Sequence, residues 1–335
     1  MADTVLVTGG TGYIAGWCIV QLLERGYNVR TTVRDAAREQ RVREAIAAAK
    51  AAADRLSFAV ADLNRDEGWE AAVAGCEYVL HVASPLSGGT PGDRNSLVGP
   101  ARDGTLRVLR AAAKAGVKRV VMTSAAAAAR PPLTTERMSD ESVWSDPEDP
   151  QFDAYRVSKI LAERAAWEFM QREGGATQLT TILPGAVFGP ILAAENLGSV
   201  QIIQGMLNGK PPALPRLGFW IVDVRDLADL HIRAMTASSA AGQRFIAAGD
   251  YMWMEDIART LRAELGGAGA KTPTRRLPDF VVRMLLPFAA NLRSLAPLLG
   301  RRFPLTSDKA RQTLGFRPRP AAVTVVECAR SLLAT

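Results

Sequence analysis

The chain has 335 residues, 48% of them hydrophobic and 22% charged, with a formal net charge of +7. That size and composition suit a globular protein built as one large α/β domain, or as a Rossmann domain with a smaller companion lobe. The basic residues are scattered, with no run of five or more, so a solvated surface and a polyanionic cofactor account for them, and neither nucleic-acid nor membrane binding is expected.

The first strand is Val5–Thr8. It runs into Gly9-Gly10-Thr11-Gly12-Tyr13-Ile14 and then into a helix over Ala15–Arg25, closed by Gly26. Gly9, Gly10 and Gly12 let the chain turn tightly and let a pyrophosphate approach the backbone. The helix N-terminus, near Tyr13 and Ile14, offers unpaired N–H groups and the positive end of a dipole. The strand–turn–helix context makes this a dinucleotide cradle. Two registers fit, Gly10-x-Gly12-x-x-Ala15 and Gly9-x-x-Gly12-x-x-Ala15, and both place Ala15 where helix and strand pack closely.

The second strand, Val29–Val33, ends at Arg34-Asp35. An acidic residue there would hold a ribose 2′-hydroxyl, whereas an Arg accommodates a 2′-phosphate. Arg34 stands first and could reach a phosphate with two N–H groups, helped by Arg38; Asp35 could instead pair with Arg34 or hold a ribose. The balance favours NADP(H) over NAD(H).

Ala36–Ala53 is an alanine-rich charged helix. Leu56–Ala61 and Tyr78–Ala83 are the third and fourth strands, Leu97–Ala115 a helix, Val117–Thr123 the fifth strand, Asp153–Glu173 a long helix, and Thr180–Leu183 the sixth strand. Short apolar strands between helices predict a parallel, doubly wound sheet, with ligands beyond the carboxyl ends of its strands. After Pro184 the chain is rich in Gly and Pro, with further strands at Phe219–Asp223 and Phe245–Ala248 and a helical end. The expected organisation is a dinucleotide-binding Rossmann domain over residues 1–183, to which 219–248 returns. Residues 184–218 and 249–335 form a smaller, interleaved C-terminal substrate lobe, with 191–215 as a lid.

Cys18, Cys76 and Cys328 are far apart and odd in number, so no disulfide framework or CxxC site is expected. His81 and His231 cannot build a zinc site with so few cysteines, and no metal is expected. The start shows no basic and apolar leader, which with the free cysteines points to the cytoplasm. Leu277–Gly300 is apolar but interrupted by Arg283, Pro287, Arg293 and Pro297, and reads as two short amphipathic helices.

Tyr155 and Lys159 share one face of the long helix. A Lys at that spacing can lower the Tyr pKa, and the Tyr can then exchange a proton with a carbonyl oxygen. Hydride has to come from a cofactor.

These elements come with Thr32-Val-Arg-Asp35, Ala61-Asp-Leu63, His81-Val-Ala-Ser-Pro85, Asp103-Gly-Thr105, Thr123-Ser124, Leu183-Pro-Gly-Ala-Val-Phe-Gly-Pro190 and Val222-Asp-Val-Arg-Asp-Leu-Ala-Asp229. Together they resemble the extended short-chain dehydrogenase/reductases, in particular the dihydroflavonol reductase and cinnamoyl-CoA reductase group. The resemblance implies reduction of a ketone or aldehyde, reversible as an alcohol oxidation, on a small-molecule substrate, by a monomer or homodimer. It implies that Asp62 and Leu63 border the adenine, Ala83 and Ser84 the nicotinamide ribose, and Pro184 and Val187 the nicotinamide ring. Tyr155 and Lys159 become catalytic, with Lys159 also on the ribose. Alternatives are a hydroxysteroid-type dehydrogenase, a sugar-nucleotide epimerase (which usually keeps NAD, against Arg34), and a non-catalytic NADP(H)-binding redox regulator.

Two positions depart from the group. Its catalytic serine is usually the second of a Thr-Ser-Ser run, and here that place is Ala125, after Thr123-Ser124. Ser124 or Thr123 could take the role through a local shift, a hydroxyl from the 130–142 loop could serve, or the protein could be a weak catalyst. Ser124 is the favoured catalytic candidate. Leu183 stands where many relatives have Asn. The small Ala125–Ala129 run at the mouth of the site suggests room for bulky, largely apolar carbonyl compounds.

Overall fold

The computed structural model describes residues 2–85, 93, 95–194, 197–285 and 298–334. Seven strands form a parallel central sheet: β1 (Thr4–Val7), β2 (Asn28–Val33), β3 (Leu56–Val60), β4 (Tyr78–His81), β5 (Arg119–Thr123), β6 (Gln178–Pro184) and β9 (Gln243–Ala247). Their order is β3-β2-β1-β4-β5-β6-β9. The chain winds outward from β1 to β3, then crosses back to lay β4 on the other side of β1. Val7 thus pairs with both Thr31 and Leu80. The β1–β4 seam is the switch point of a doubly wound sheet, where a crevice opens beyond the strand ends.

The strands are apolar because both faces are covered. Val5, Leu6 and Val7 are fully buried, and every residue of β5 is buried. One face packs against α1 (Tyr13–Glu24), α2 (Glu39–Ala48) and α7 (Val224–Thr236) through Ile19, Leu22, Ile46, Leu227 and Leu230. The other packs against α3 (Trp69–Val73), α4 (Val98–Lys114) and α5 (Ala154–Glu173) through Trp69, Val108, Leu109 and Ala166.

A second sheet joins β7 (Ala186–Phe188), β8 (Gly218–Asp223) and β10 (Tyr251–Trp253) in the order β10-β8-β7, with β7 parallel and β10 antiparallel to β8. It packs with α6 (Val200–Leu207), α8 (Met254–Leu265) and α11 (Ala321–Leu333) around Phe188, Ile203, Ile221, Ile257 and Val325. The remaining described helices are α9 (Asp279–Leu285) and α10 (Asp308–Leu314).

The strand expected at Phe219–Asp223 belongs to this smaller sheet and not to the segment that rejoins the large one; α7 and β9 make the return. The reason is the β-pairing of Trp220 with Tyr251, which only the tertiary fold brings together. The helix expected over Ala36–Ala53 is shorter: Asp35 caps a 3₁₀ turn at Ala36–Arg38 by accepting from Ala37 N, and α2 starts after it. Of the stretch Leu277–Gly300, the first helix is α9, and 286–297 lie outside the described residues. Among the described residues no helix is long and apolar enough to cross a membrane, and no cluster of three metal-ligating side chains occurs. All three cysteines are buried and unpaired.

Candidate active site

The strand order lines up the carboxyl ends of β3, β2, β1, β4, β5 and β6 along one edge. Along that edge stand Asp62 and Leu63, Arg34, Gly9–Gly12, Ala83 and Ser84, Ser124 and Ala125, and Pro184. The predicted cofactor residues, remote in sequence, are therefore neighbours in space. Val187 sits on β7, where it pairs with Val222.

At the centre is the glycine turn. Gly9 has φ +74°, and a Cβ there would lie 2.9 Å from the Cβ of Ala83. A Cβ on Gly10 would lie 2.5 Å from Thr31 Oγ1, and one on Gly12 3.0 Å from Gly9 O. Side chains at these positions would collide with Ala83, Thr31 and the turn's own carbonyl, so the turn packs this tightly against β2 and β4 only with glycine. Gly9 N donates to Thr32 Oγ1 and Gly10 N to Thr32 O, which ties the turn to β2. Gly12 is the N-cap of α1 with no side-chain cap, so the amides of the first helical turn point at the crevice. This cradle fits a dinucleotide pyrophosphate. Tyr13 donates to Gly189 O at 2.8 Å and Trp17 to Pro190 O at 2.8 Å, which clamps α1 to the segment after β7.

His81, a packed residue by expectation, is 2% exposed. Thr8 Oγ1 accepts from the amides of Val82 and Ala83 and faces His81 Nδ1 at 3.1 Å, while Nε2 faces Thr105 Oγ1 at 3.3 Å. Burial, with the Lys159 charge beside it, pushes its pKa down to about 3, so the ring is neutral. It pins the ends of β1 and β4 to α4.

On the β2 side, a cleft of about 660 Å³ is lined by Arg34, Asp62, Arg65, Asp66 and Arg107 among others. Arg34 is exposed and makes no ion pair among the described residues. The Asp35 carboxylate is spent on Ala37 N rather than on Arg34. Asp62 caps its own turn by accepting from Asn64 N, and Leu63 packs beneath Gly104, where a Cβ would come within 2.8 Å.

On the other side stands α5, capped by Asp153, whose carboxylate accepts from Arg156 N at 2.8 Å. Tyr155 is 36% exposed on the first turn, and Lys159, one turn on, is 4% exposed. Partial burial and the Asp153 carboxylate push the phenol up from its ordinary value, while Arg156 pulls it down. The Lys159 ammonium donates to Thr123 O at 2.9 Å. Burial lowers its pKa to about 8, against the Glu163 carboxylate, which raises it.

At the end of β5 the candidate serine is already engaged. Ser124 is 1% exposed and donates to Glu163 Oε2 at 2.6 Å, inside the protein. Thr123 is no freer: its hydroxyl meets His231 Nε2 at 2.7 Å. His231 Nδ1 can only donate to Leu227 O, at 2.8 Å, so Nε2 accepts from Thr123. A strand alternates its side chains, but here both are drawn into hydrogen bonds below the sheet edge. Ala125, 8% exposed, brings no hydroxyl. On the 130–142 loop, Thr135 donates to Pro132 O and Ser142 to Asp140 Oδ1, so those hydroxyls serve their own turns. Of the alanine run, only Ala126 and Ala127 are partly exposed; Ala128 and Ala129 are core residues.

Sequence reasoning missed the group that holds Ser124. Glu163 is fully buried and also accepts from Thr181 Oγ1 at 2.7 Å and Arg244 Nε at 2.9 Å. Arg244 reaches on to Val143 O and Ala128 O. The available signal was spacing, because Glu163 follows Lys159 by one further helical turn on the Tyr155 face.

The model of the NAD dependent epimerase/dehydratase family matches residues 5–248. The chain is 33% identical over 341 residues to cinnamoyl-CoA reductase CAD2 of Medicago truncatula, covering 99% of this chain and 96% of that one. It is 33% identical to tetraketide alpha-pyrone reductase 1 of Arabidopsis thaliana, over 77% of this chain and 80% of that one. Among solved structures it resembles the yeast methylglyoxal/isovaleraldehyde reductase Gre2 complexed with NADPH, with a TM-score of 0.81 and 26% identity, covering 99% of this chain and 98% of that one. Glycine cradle, switch point and the Tyr155–Lys159 face thus agree with the whole-chain likeness: the chain belongs to the NAD dependent epimerase/dehydratase family.

Proposed function

We propose that this protein is an NADPH-dependent reductase of ketone or aldehyde carbonyls, reversible as an alcohol dehydrogenase. The observation that carries the reading is the placement of Tyr155, partly exposed and still protonated at neutral pH, at the sheet edge that also holds the glycine cradle. Gly9, Gly12, Tyr13 and Ile14 would hold the pyrophosphate, Asp62 and Leu63 the adenine, Ala83, Ser84 and Lys159 the nicotinamide ribose, and Pro184 and Val187 the ring. Arg34, exposed and without an acidic partner among the described residues, favours the 2′-phosphate and hence NADPH. The bound cofactor supplies the hydride. Tyr155 holds the substrate oxygen by a hydrogen bond and delivers its proton there. Lys159 keeps a buried positive charge beside Thr123 O and steadies the end of β5. With Thr123 and Ser124 engaged in the interior, Tyr155 is the donor that this reading places on the carbonyl oxygen. The partly exposed Ala126 and Ala127 leave space beside it for a bulky substrate.

The test is NADPH oxidation against a panel of aldehydes and ketones, with Tyr155→Phe as control. Turnover that persists in Tyr155→Phe would sink the scheme. A second reading, an NADP(H)-binding regulator without turnover, is favoured by one observation, the lack of a hydroxyl at Ala125. NADPH binding with no oxidation of any panel member would support it.

A further inference from the structure

Arg130 stands on the turn that follows β5, at the same end of the sheet as Tyr155. Its backbone is firmly held: Arg130 N donates to Ser145 Oγ at 2.7 Å, and Ser145 Oγ lies 2.6 Å from Ala127 O. Arg244 secures the same turn through Ala128 O at 3.1 Å. Its guanidinium carbon lies 4.1 Å from the ring centre of Phe152 and 5.8 Å from that of Phe303. Phe152 directly precedes Asp153, the cap of α5, so the guanidinium sits at the end of the helix that carries Tyr155.

What sets Arg130 apart is its hydrogen bonding. Nε and Nη2 are shielded from solvent and have no partner. The nearby carboxylate of Asp153 does not serve it, being taken by Arg156, whose Nη1 donates to Oδ2 at 2.6 Å. Gln151 Oε1, next to Phe152, is also buried and unpaired. Burial and the charge of Arg156 push the Arg130 pKa down to about 10, against the Asp149 and Asp153 carboxylates, which raise it, so the cation is retained at neutral pH. Buried polar groups are nearly always paired, and an unpaired charged donor is costly. Nε–H and Nη2–H are moreover the two parallel donors of one guanidinium edge. That edge matches the two oxygens of a carboxylate.

Resting on the reductase reading, we infer that Arg130 is a substrate-recognition residue whose Nε/Nη2 edge receives a carboxylate carried by the carbonyl substrate, with Phe152 and Phe303 flanking its organic part. The substrate class is then an oxo acid, aryl-substituted where the two rings can contact it. The Nε/Nη2 edge is desolvated in advance beside the Phe152 ring, so discrimination against a neutral ester or amide follows from leaving the edge unpaired.

The test uses binding, so it does not depend on turnover. Phenylacetate and phenylacetamide are compared by thermal shift on the NADPH-loaded full chain, in the wild type, Arg130→Met and Arg130→Lys. Phenylacetate is expected to raise the melting temperature of the wild type and to bind roughly tenfold or more tightly than the amide. Arg130→Met should lose that preference while melting, ligand-free, no lower than the wild type, because it removes two unpaired buried donors. Equal response to acid and amide, or an acid preference that survives in Arg130→Met, overturns the inference. So does a matching fall in ligand-free melting temperature in both variants, which would make the guanidinium structural, for instance through Gln151. A protein that bound phenylacetate through Arg130 yet reduced no carbonyl would sink the reductase reading alone.

Discussion

Ser124 donates its hydroxyl to the fully buried Glu163 at 2.6 Å, so this hydroxyl turns from the sheet edge into the interior. The residue expected to touch substrate is bonded to a carboxylate that Arg244 and Thr181 also serve.

Ser124→Ala is therefore expected to act on stability and to leave the chemistry alone. A hydrogen bond to a buried charge contributes about 1.5–3 kcal/mol, and denaturant unfolding should show a loss of that order with kcat nearly unchanged. Glu163→Gln should cost more, about 3–5 kcal/mol, because it leaves Arg244 buried without its counter-charge. A large drop in kcat for a well-folded Ser124→Ala would return Ser124 to the mechanism.

Ala125→Ser tests the vacancy in the expected catalytic set. Ala125 is in extended backbone at φ −153°, which any residue adopts. Loss of one donor to a developing oxyanion typically costs about 10²–10³ in rate. Restoring the hydroxyl should raise kcat by at least about tenfold at unchanged NADPH affinity. No gain would mean that the site does not place the carbonyl oxygen near Ala125.

Tyr155→Phe should lower kcat by about 10²–10⁴, the range for a lost general acid, and leave NADPH binding intact. Because the phenol is pushed up from its ordinary value, reduction should run well at neutral pH, and alcohol oxidation should rise as pH increases. Initial rates in the two directions between pH 6 and 10 check this. Parallel profiles would contradict it.

Arg34→Ala should weaken NADPH binding by about 10–100-fold, the worth of charge-assisted hydrogen bonds to a phosphate, with little effect on NADH. Titrating both cofactors by fluorescence decides it. Equal losses for the two would show that Arg34 does not read the 2′-phosphate.

His81 and His231 have pKa values pushed down by burial to about 3 and about 4. Unfolded, each titrates near 6.5. Between pH 6.5 and about 4 the unfolded chain therefore binds more protons, so stability falls as pH falls, by up to about 1.4 kcal/mol per unit for each ring. Replacing His231 with Asn removes its share. The stability gap between wild type and His231→Asn should narrow from pH 7 to pH 4.5, and a constant gap would show that the buried ring does not titrate in this way.

The cradle and the Tyr155–Lys159 pair were legible in the residue order because both are local. Gly9 and Gly12 act within one strand–turn–helix, and a four-residue spacing suffices to put Tyr155 and Lys159 on one helix face. The parallel sheet was legible for a similar reason, since strands buried on both faces read as apolar runs between helices. The place of Phe219–Asp223 was not, because a strand's own residues do not say which partner pairs with it, and Tyr251 lies 31 residues beyond Trp220.

The direction of a hydroxyl at the end of β5 lay outside the reach of sequence altogether. Ser124 turns inward because Glu163, Thr181 and Arg244 come together from α5, β6 and β9 into one buried polar cluster, where a carboxylate must be satisfied from every side. Arg130 is the converse case: two rings arrive beside its guanidinium from 152 and 303, and neither pairs its Nε or Nη2. Local spacing settles the backbone cradle and the helix face. Which polar atoms are satisfied, and which are left for a ligand, is settled only when distant segments meet out of reach of water.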